Sequence, residues 1–396
     1  MNVKQVEKYL FEMVPEIMRK EYTWKRIGMV MDHLKDIPNQ KLYKFRECHS
    51  NNFDALEKQS LWLSKACNFD DIMDTIIPFN VSSLSDETLM QLFKLFNAAE
   101  YANAYKKYNG KDTTAISPDI IRKLIEKCYD ENFQLIPKKA DNFLRKNKQL
   151  TTQENLLQLH QINKNISRRG TGKECIEWYK KDAEIGCEES LSKIRNITYV
   201  CSLTETKDSP AMWENYAGKY SGYCIEFDFS NGLRTDYLRN SSIFQALLLL
   251  LPVIYTEDRP PFNTARFLRM QYEDEFETTK NAFDQMDEVL ESCSFYEQMI
   301  IKHPSYAYEK EWRIVFSDYT PQLLKFPFMS AIYLGKDIGD NEKSKLIEIA
   351  KKINISVYQQ KAGTYKYEYQ QLWERHRAIC TETKTYFGIL GKKFDI

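Results

Sequence analysis

Strand-like alternation stops near Leu63 and does not resume until Ile197, and nearly every segment from about Leu84 to Asn196 has helical period or turn chemistry. A sheet with strands on both sides of so long a helical stretch is discontinuous in sequence, so this stretch reads as an insertion of several helices. Before it, Leu42-Tyr43-Lys44-Phe45-Arg46 and Leu61-Trp62-Leu63-Ser64 read as strands. After it, Ile197 to Leu203 and Gly222 to Phe229 do the same, and in the second Cys224, Glu226 and Asp228 alternate with Ile225, Phe227 and Phe229. The short polar stretch between these two favours antiparallel pairing or a brief helix.

Residues 1 to about 35 carry Leu10, Val14, Ile17, Met18, Met29, Val30 and Leu34 at helical spacing, predicting a helical cap over 1–40. Within the insertion, Asp86 is a candidate N-cap, and Ser117 precedes Pro118 at another helix start. A long helix is expected from Thr264 to about Ile301, its face of Leu268, Tyr272, Phe276, Phe283, Met286 and Leu290 packed on the sheet. The segments YEKEWRIVF, SAIYLG, Glu342 to Lys352 and ISVYQQ then read as strand, strand, helix, strand, with a final helix from Tyr367 to Arg377. The fold class expected is α+β: a mixed, mainly antiparallel central sheet with flanking helices and a large all-helical insertion. The core would span 41–83 and 197–370, the insertion 84–196 and a tail 371–396.

Lys plus Arg and Asp plus Glu are 56 each in 396 residues, so the formal net charge is zero. That argues against a broad polyanion-binding surface and confines any basic surface to a local patch. The longest apolar run, Ala246 to Val253, has eight residues, against the ~18 that a membrane-spanning helix needs. The charged N-terminus lacks the apolar region of a signal peptide, which points to a cytoplasmic protein. Nine scattered cysteines with no C-x-x-C pair fit reduced, packed thiols.

Chemistry concentrates in a few segments. In a strand, residues two apart share a face, so Glu309, Glu311 and Arg313 would project together while Trp312, Ile314 and Phe316 enter the core. Such a face is either simply solvated or a site where a carboxylate stabilises a cation. Trp213 and Tyr216 lie three apart, on one helical face, and read as an aromatic plug or a stacking surface. Lys44 and Arg46 share a strand face opposite Tyr43 and Phe45, a weak phosphate clamp. Other matches fail: Arg168 to Glu174 lacks the first glycine and the final Ser or Thr of a phosphate loop, and no H-x-x-x-H or G-x-S-x-G is present. Asp70, Asp71 and Asp74 could hold a hard cation, but an acidic turn more often caps a helix or is exposed.

These segments, in this order, resemble the bacterial family DUF2971, a domain of unknown function, from Leu42 to about Tyr369. The resemblance rests on Tyr43-Lys44-Phe45-Arg46, Leu61-Trp62-Leu63-Ser64, Val200-Cys201-Ser202, Trp213 with Tyr216, Gly222 to Asp228, and Lys302, Tyr308, Glu309, Glu311 and Arg313. The family's Phe-Asn-Asp-Pro-Phe-Glu/Asp turn is degenerate, with Asp70 for Asn and Ile72 for Pro. A basic residue on a first strand, Ser on a central strand and Glu-x-Glu on a late strand looks like the arrangement of ADP-ribosyltransferases of the Arg-Ser-Glu type. That likeness implies NAD as substrate, cleaved with transfer of ADP-ribose or hydrolysis, in a defence or toxin effector. Arg46 would meet the phosphates, Ser202 would hold strand and carboxylate geometry, and Glu311 would face the ribose and its developing cation. Glu309 would position the acceptor, and Trp213, Tyr216 or Tyr308 would stack on nicotinamide. Lys44, Lys302 and Arg313 complete a mixed cleft for one anionic small molecule, with no metal.

Two alternatives compete. One is a Mg-dependent nuclease built on Asp70, Asp71, Glu309, Glu311 and Lys302. The other is a non-catalytic module of a multi-component bacterial system such as phage defence, with a protein partner on the helical insertion.

Overall fold

The computed structural model describes residues 3–18, 24–71, 73–108, 115–230, 241–276, 282–317, 323–363 and 366–375. In chain order it opens with α1 (Val3–Met18), α2 (Trp24–Lys35), β1 (Lys41–Arg46), α3 (Ser50–Glu57), β2 (Ser60–Trp62) and β3 (Ser64–Lys65). Five helices follow: α4 (Asp86–Tyr108), α5 (Pro118–Cys128), α6 (Pro137–Lys146), α7 (Gln153–Ser167) and α8 (Lys173–Ile197). Next come β4 (Thr198–Thr204), α9 (Pro210–Tyr216), β5 (Tyr223–Asp228), α10 (Ser241–Leu248), β6 (Leu250–Pro252) and β7 (Ile254–Tyr255). The chain continues through α11 (Thr264–Glu273), α12 (Ala282–Met299), β8 (Ile301–Lys302), β9 (Glu311–Ser317) and β10 (Leu323–Lys325). It closes with β11 (Met329–Leu334), α13 (Asp340–Lys352), β12 (Ser356–Ala362) and β13 (Tyr367–Trp373).

The chain divides into two compact units. One comprises Met1–Ile76, Lys193–Arg259 and Tyr296–Ile396, the other Ile77–Ser192 and Pro260–Phe295. The first carries a nine-stranded sheet ordered β13-β12-β11-β5-β1-β4-β9-β6, with β3 also paired to β4. Within it every pairing is antiparallel except β11 with β12, which α13 connects as a crossover. The fold is therefore α+β with a mixed, mainly antiparallel sheet.

β4 and β5 do not pair with each other: β1 lies between them, antiparallel to both, and α9 occupies their connection. The β1–β5 ladder runs in register from Lys41 opposite Asp228 to Arg46 opposite Tyr223. A Cβ on Gly222, just before β5, would lie 2.2 Å from the Arg46 carbonyl and 2.8 Å from that of Ala217. Glycine is thus required for the close backbone approach that fixes the end of β1. β9, Glu-Trp-Arg-Ile-Val-Phe-Ser, is buried at every position but the last, as befits an aromatic and β-branched strand with neighbours on both sides.

Among the described residues the regular elements of the second unit are helices, and its core is built on Phe93, Ile121, Ile125, Tyr179 and their neighbours. The helix expected from Thr264 to Ile301 differs in two ways. α11 stops at Glu273, where the Asp274 N–H turns back to the Met270 carbonyl, and α12 starts at Ala282. Leu268 and Phe276 pack in the helical core and not on the sheet; the Phe283 side chain lies outside the described residues. At the start of α4, Ser85 and not Asp86 is the cap, its hydroxyl accepting from the Thr88 N–H at 3.2 Å. The helix expected over Tyr367 to Arg377 is strand through Trp373, paired with β12, and residues from 376 onward, with Arg377 and Cys380, lie outside the described residues. The eight described cysteines are free thiols, and among the described residues no helix is long and apolar enough to cross a membrane.

Candidate functional site

In the first unit β1 and β4 share a single paired position, Tyr43 opposite Thr204. Beyond it, Lys44 to Arg46 on one strand and Ser202 and Leu203 on the other line a cavity of about 700 Å³. The Lys44 ammonium crosses this opening to donate to the Ser202 carbonyl. The cavity volume is within the ordinary range for small-molecule sites, ~300–1,000 Å³. Its remaining walls come from α9, from β9, from the turn 68–74 and from a 3₁₀ turn, Pro304–Glu309.

Register explains how β9 contributes. Thr204 lies opposite Glu311 and Ser202 opposite Arg313, so these four side chains leave the sheet on one face while Trp312, Ile314 and Phe316 enter the core. Glu309 reaches the same space by another route. The strand begins only at Glu311; Glu309 ends the 3₁₀ turn, and Lys310 between them is left-handed at φ 46°. Two bonds hold that bend: Thr204 Oγ1 donates to the Glu309 carbonyl at 2.6 Å, and the Glu311 N–H donates to the Tyr255 hydroxyl at 2.8 Å.

The two carboxylates belong to a buried ionic network. Lys302 Nζ lies 2.6 Å from Glu309 and 3.1 Å from Glu311. Arg313 Nε donates to Glu311 at 2.8 Å, while its two terminal nitrogens clasp Asp74 at 2.6 and 2.7 Å. Tyr216 donates to the other Glu309 oxygen at 2.8 Å. Glu309 and Glu311 are only 3% and 5% exposed, a position carboxylates occupy only when paired. Burial pushes the Glu311 pKa up, but Arg313 and Lys302, with hydrogen bonds from Arg313 and Ser202, outweigh it and hold the group at about 2. Glu311 is therefore an anion throughout the physiological range. Burial lowers the Arg313 pKa, and Glu311 and Asp74 more than reverse this, so it stays charged.

The β1 side of the cavity differs. Arg46 lines it with no hydrogen bond or ion pair among the described residues, and burial pulls its pKa down. Burial first, and then Arg46, bring Lys44 down to about 8. One wall thus carries cations with no carboxylate partner, while the other carries carboxylates each paired with a cation.

Of the ten residues singled out in the sequence, nine line this cavity: Lys44, Arg46, Ser202, Tyr216, Lys302, Tyr308, Glu309, Glu311 and Arg313. Trp213 does not. It is fully buried, meets Phe45 edge-on at 5.1 Å, and donates its indole N–H to the Lys207 carbonyl. As the plug between α9 and the sheet it has no free face for a ligand, whereas Tyr216 and Tyr308 are 43% and 41% exposed. Asp70 and Asp71 also line the cavity, and Ile72 lies outside the described residues. Among the described residues no three Asp, Glu, His or Cys side chains are grouped to hold a metal ion, and Glu309 and Glu311 are engaged by Lys302 and Arg313. That donor set does not suit the metal-nuclease alternative.

Sequence reasoning passed over Thr204 and Tyr255, and read Asp74 as part of an acidic turn that could hold a cation or be exposed, not as the buried partner of Arg313. Their roles depend on contacts far along the chain, 239 residues in the case of Asp74 with Arg313. The only local signal was the acidic turn containing Asp74.

The model of a family described as a protein of unknown function (DUF2971) matches residues 212–314. That span holds Trp213 to Arg313 but not Lys44, Arg46 or Ser202. No curated protein and no solved structure matches the chain. The family match names no activity, and what this cavity can do rests on its own chemistry.

Proposed function

We propose that the first unit cleaves the nicotinamide N-glycosidic bond of NAD and passes ADP-ribose to an acceptor or to water. The observation that carries this reading is the presence, in one cavity, of an unpaired guanidinium at Arg46 and a carboxylate held ionised at Glu311. Breaking the bond releases neutral nicotinamide and leaves positive charge on the ribose. An ionised carboxylate in a partly dehydrated site stabilises that charge, whereas a protonated one could not. Glu311 cannot serve as a general acid near neutral pH, because it carries no proton there; this chemistry does not ask it to, since the leaving group already departs neutral.

Arg46, with Lys44 beside it, suits the diphosphate. Ser202 donates to Glu311 and so orients it. Tyr216 and Tyr308 offer exposed rings for stacking on nicotinamide. Glu309, fixed between Tyr216 and Lys302, is placed to orient an incoming nucleophile. An activity that depletes NAD would make the protein a toxin or defence effector.

The test is direct. Purified protein incubated with NAD should release nicotinamide on chromatography, and absence of release together with no transfer of labelled ADP-ribose to any protein would overturn the reading. A second expectation follows from Lys44. An anion binds best while Lys44 is protonated, so NAD affinity measured by calorimetry should be constant below pH 8 and fall as pH rises through about 8. Lys44→Met should remove that pH dependence.

A further inference from the structure

We infer that α6 is a docking face for the phosphate backbone of a duplex nucleic acid, independently of the chemistry proposed for the cavity. The helix reads Pro-Lys-Lys-Ala-Asp-Asn-Phe-Leu-Arg-Lys. At 3.6 residues per turn, Lys138, Lys139, Asn142, Arg145 and Lys146 fall on one face about 120° wide, spread over about 12 Å of axis. All five are exposed, and none of the four cations has an ion pair or hydrogen bond among the described residues. The opposite face packs inward through Ala140, Phe143 and Leu144. The helix's one acidic residue, Asp141, sits at the edge of the basic arc.

The surroundings of the helix carry both signs: Lys127 of α5 acts with Lys139 on the Cys128 thiol, and Glu126 and Asp130 act with Lys139 on Lys94. Lys148, exposed just beyond α6, adds another cation. In a chain with zero net charge, four exposed cations without an ion pair concentrate positive charge on one face of a short helix.

The composition of the face selects the partner. It contains no apolar side chain, whereas protein interfaces have an apolar or aromatic centre and are depleted in lysine. It contains no aromatic ring, whereas single strands are held by stacking bases on aromatics. What remains is attraction to closely spaced phosphates, where the affinity and the salt dependence come from counterion release.

The experiment uses the full-length protein and fluorescence anisotropy with a labelled 20-base-pair duplex, in DNA and in RNA form. Four phosphate contacts predict a log–log salt slope of about −3.6 for duplex DNA, so affinity should fall about 150-fold between 50 and 200 mM salt. The variant K138Q/K139Q/R145Q/K146Q keeps good helix formers on the solvent face and should bind at least tenfold more weakly with a flatter slope. A control removing the same charge elsewhere, K343Q/K351Q/K361Q/K366Q, should bind like wild type. Failure of the wild type to bind either duplex at 50 mM salt overturns the inference. So does equal weakening by the control, which would assign the binding to net charge, or full affinity in the α6 variant. Binding to single strands as tight as to duplex would also overturn it.

Discussion

Asp74→Ala is expected to be the most destabilising single change in the first unit, costing about 3–5 kcal/mol. The reason is what it leaves behind. Arg313 is 1% exposed, and Asp74 takes both of its terminal nitrogens. Without Asp74 the guanidinium keeps Glu311 and the Met299 carbonyl as partners, but two charge-assisted bonds vanish at the buried wall of the cavity. Asp74→Asn should cost less, since the amide oxygen can still accept one of them. Urea titration followed by far-ultraviolet dichroism would measure this as a lowered midpoint at unchanged slope. A cost below about 1 kcal/mol would mean that solvent from the cavity supplies the acceptors that Asp74 gave Arg313. Acid should mimic part of the effect. Glu311 has its pKa depressed on folding, so its contribution is present above the usual carboxylate value of about 4.3. That contribution is lost as pH falls towards about 2.

How much of this was legible beforehand differs from element to element. Strands with two-residue alternation, such as Cys224 to Phe229 and Trp312 to Phe316, announce themselves because apolar residues take one face and polar or small ones the other, although both faces are buried. Glu309 and Glu311 were readable as a pair, although for a partly wrong reason: a strand would put both on one face, and here a left-handed Lys310 does so. Trp213 and Tyr216 could not be told apart by spacing, because a helix turns both the same way, and only the depth of the Phe45 contact separates plug from pocket wall. Asp74 carried almost no signal. Its partner is fixed by the register of β9 against β4, which no local pattern encodes. The Tyr367 segment was misread as a helix although β12, its hairpin partner, ends at Ala362: no position of β13 is fully buried and Glu368, Gln370 and Gln371 are exposed, so little apolar alternation marks it.

Glu311→Gln should abolish most of the proposed NAD cleavage, lowering kcat by about 100- to 1,000-fold, or about 2.7–4 kcal/mol, the size found for removing one preorganised electrostatic stabiliser. The substitution preserves shape but removes the negative charge that faces the developing cation, and its amide nitrogen can no longer accept from Arg313 or Lys302. It should therefore act on kcat and leave the apparent NAD affinity within a few fold, because the diphosphate is held by Arg46 and Lys44 on the other wall. Arg46→Ala should show the opposite split, raising KM more than it lowers kcat. The pairing matters, because Glu311 also anchors Lys302 and Arg313. A variant that had merely loosened the cluster would lose binding and turnover together and would unfold at lower urea. A folded Glu311→Gln protein that binds NAD normally and turns it over at the wild-type rate would remove Glu311 from the chemistry and leave the network a structural clamp.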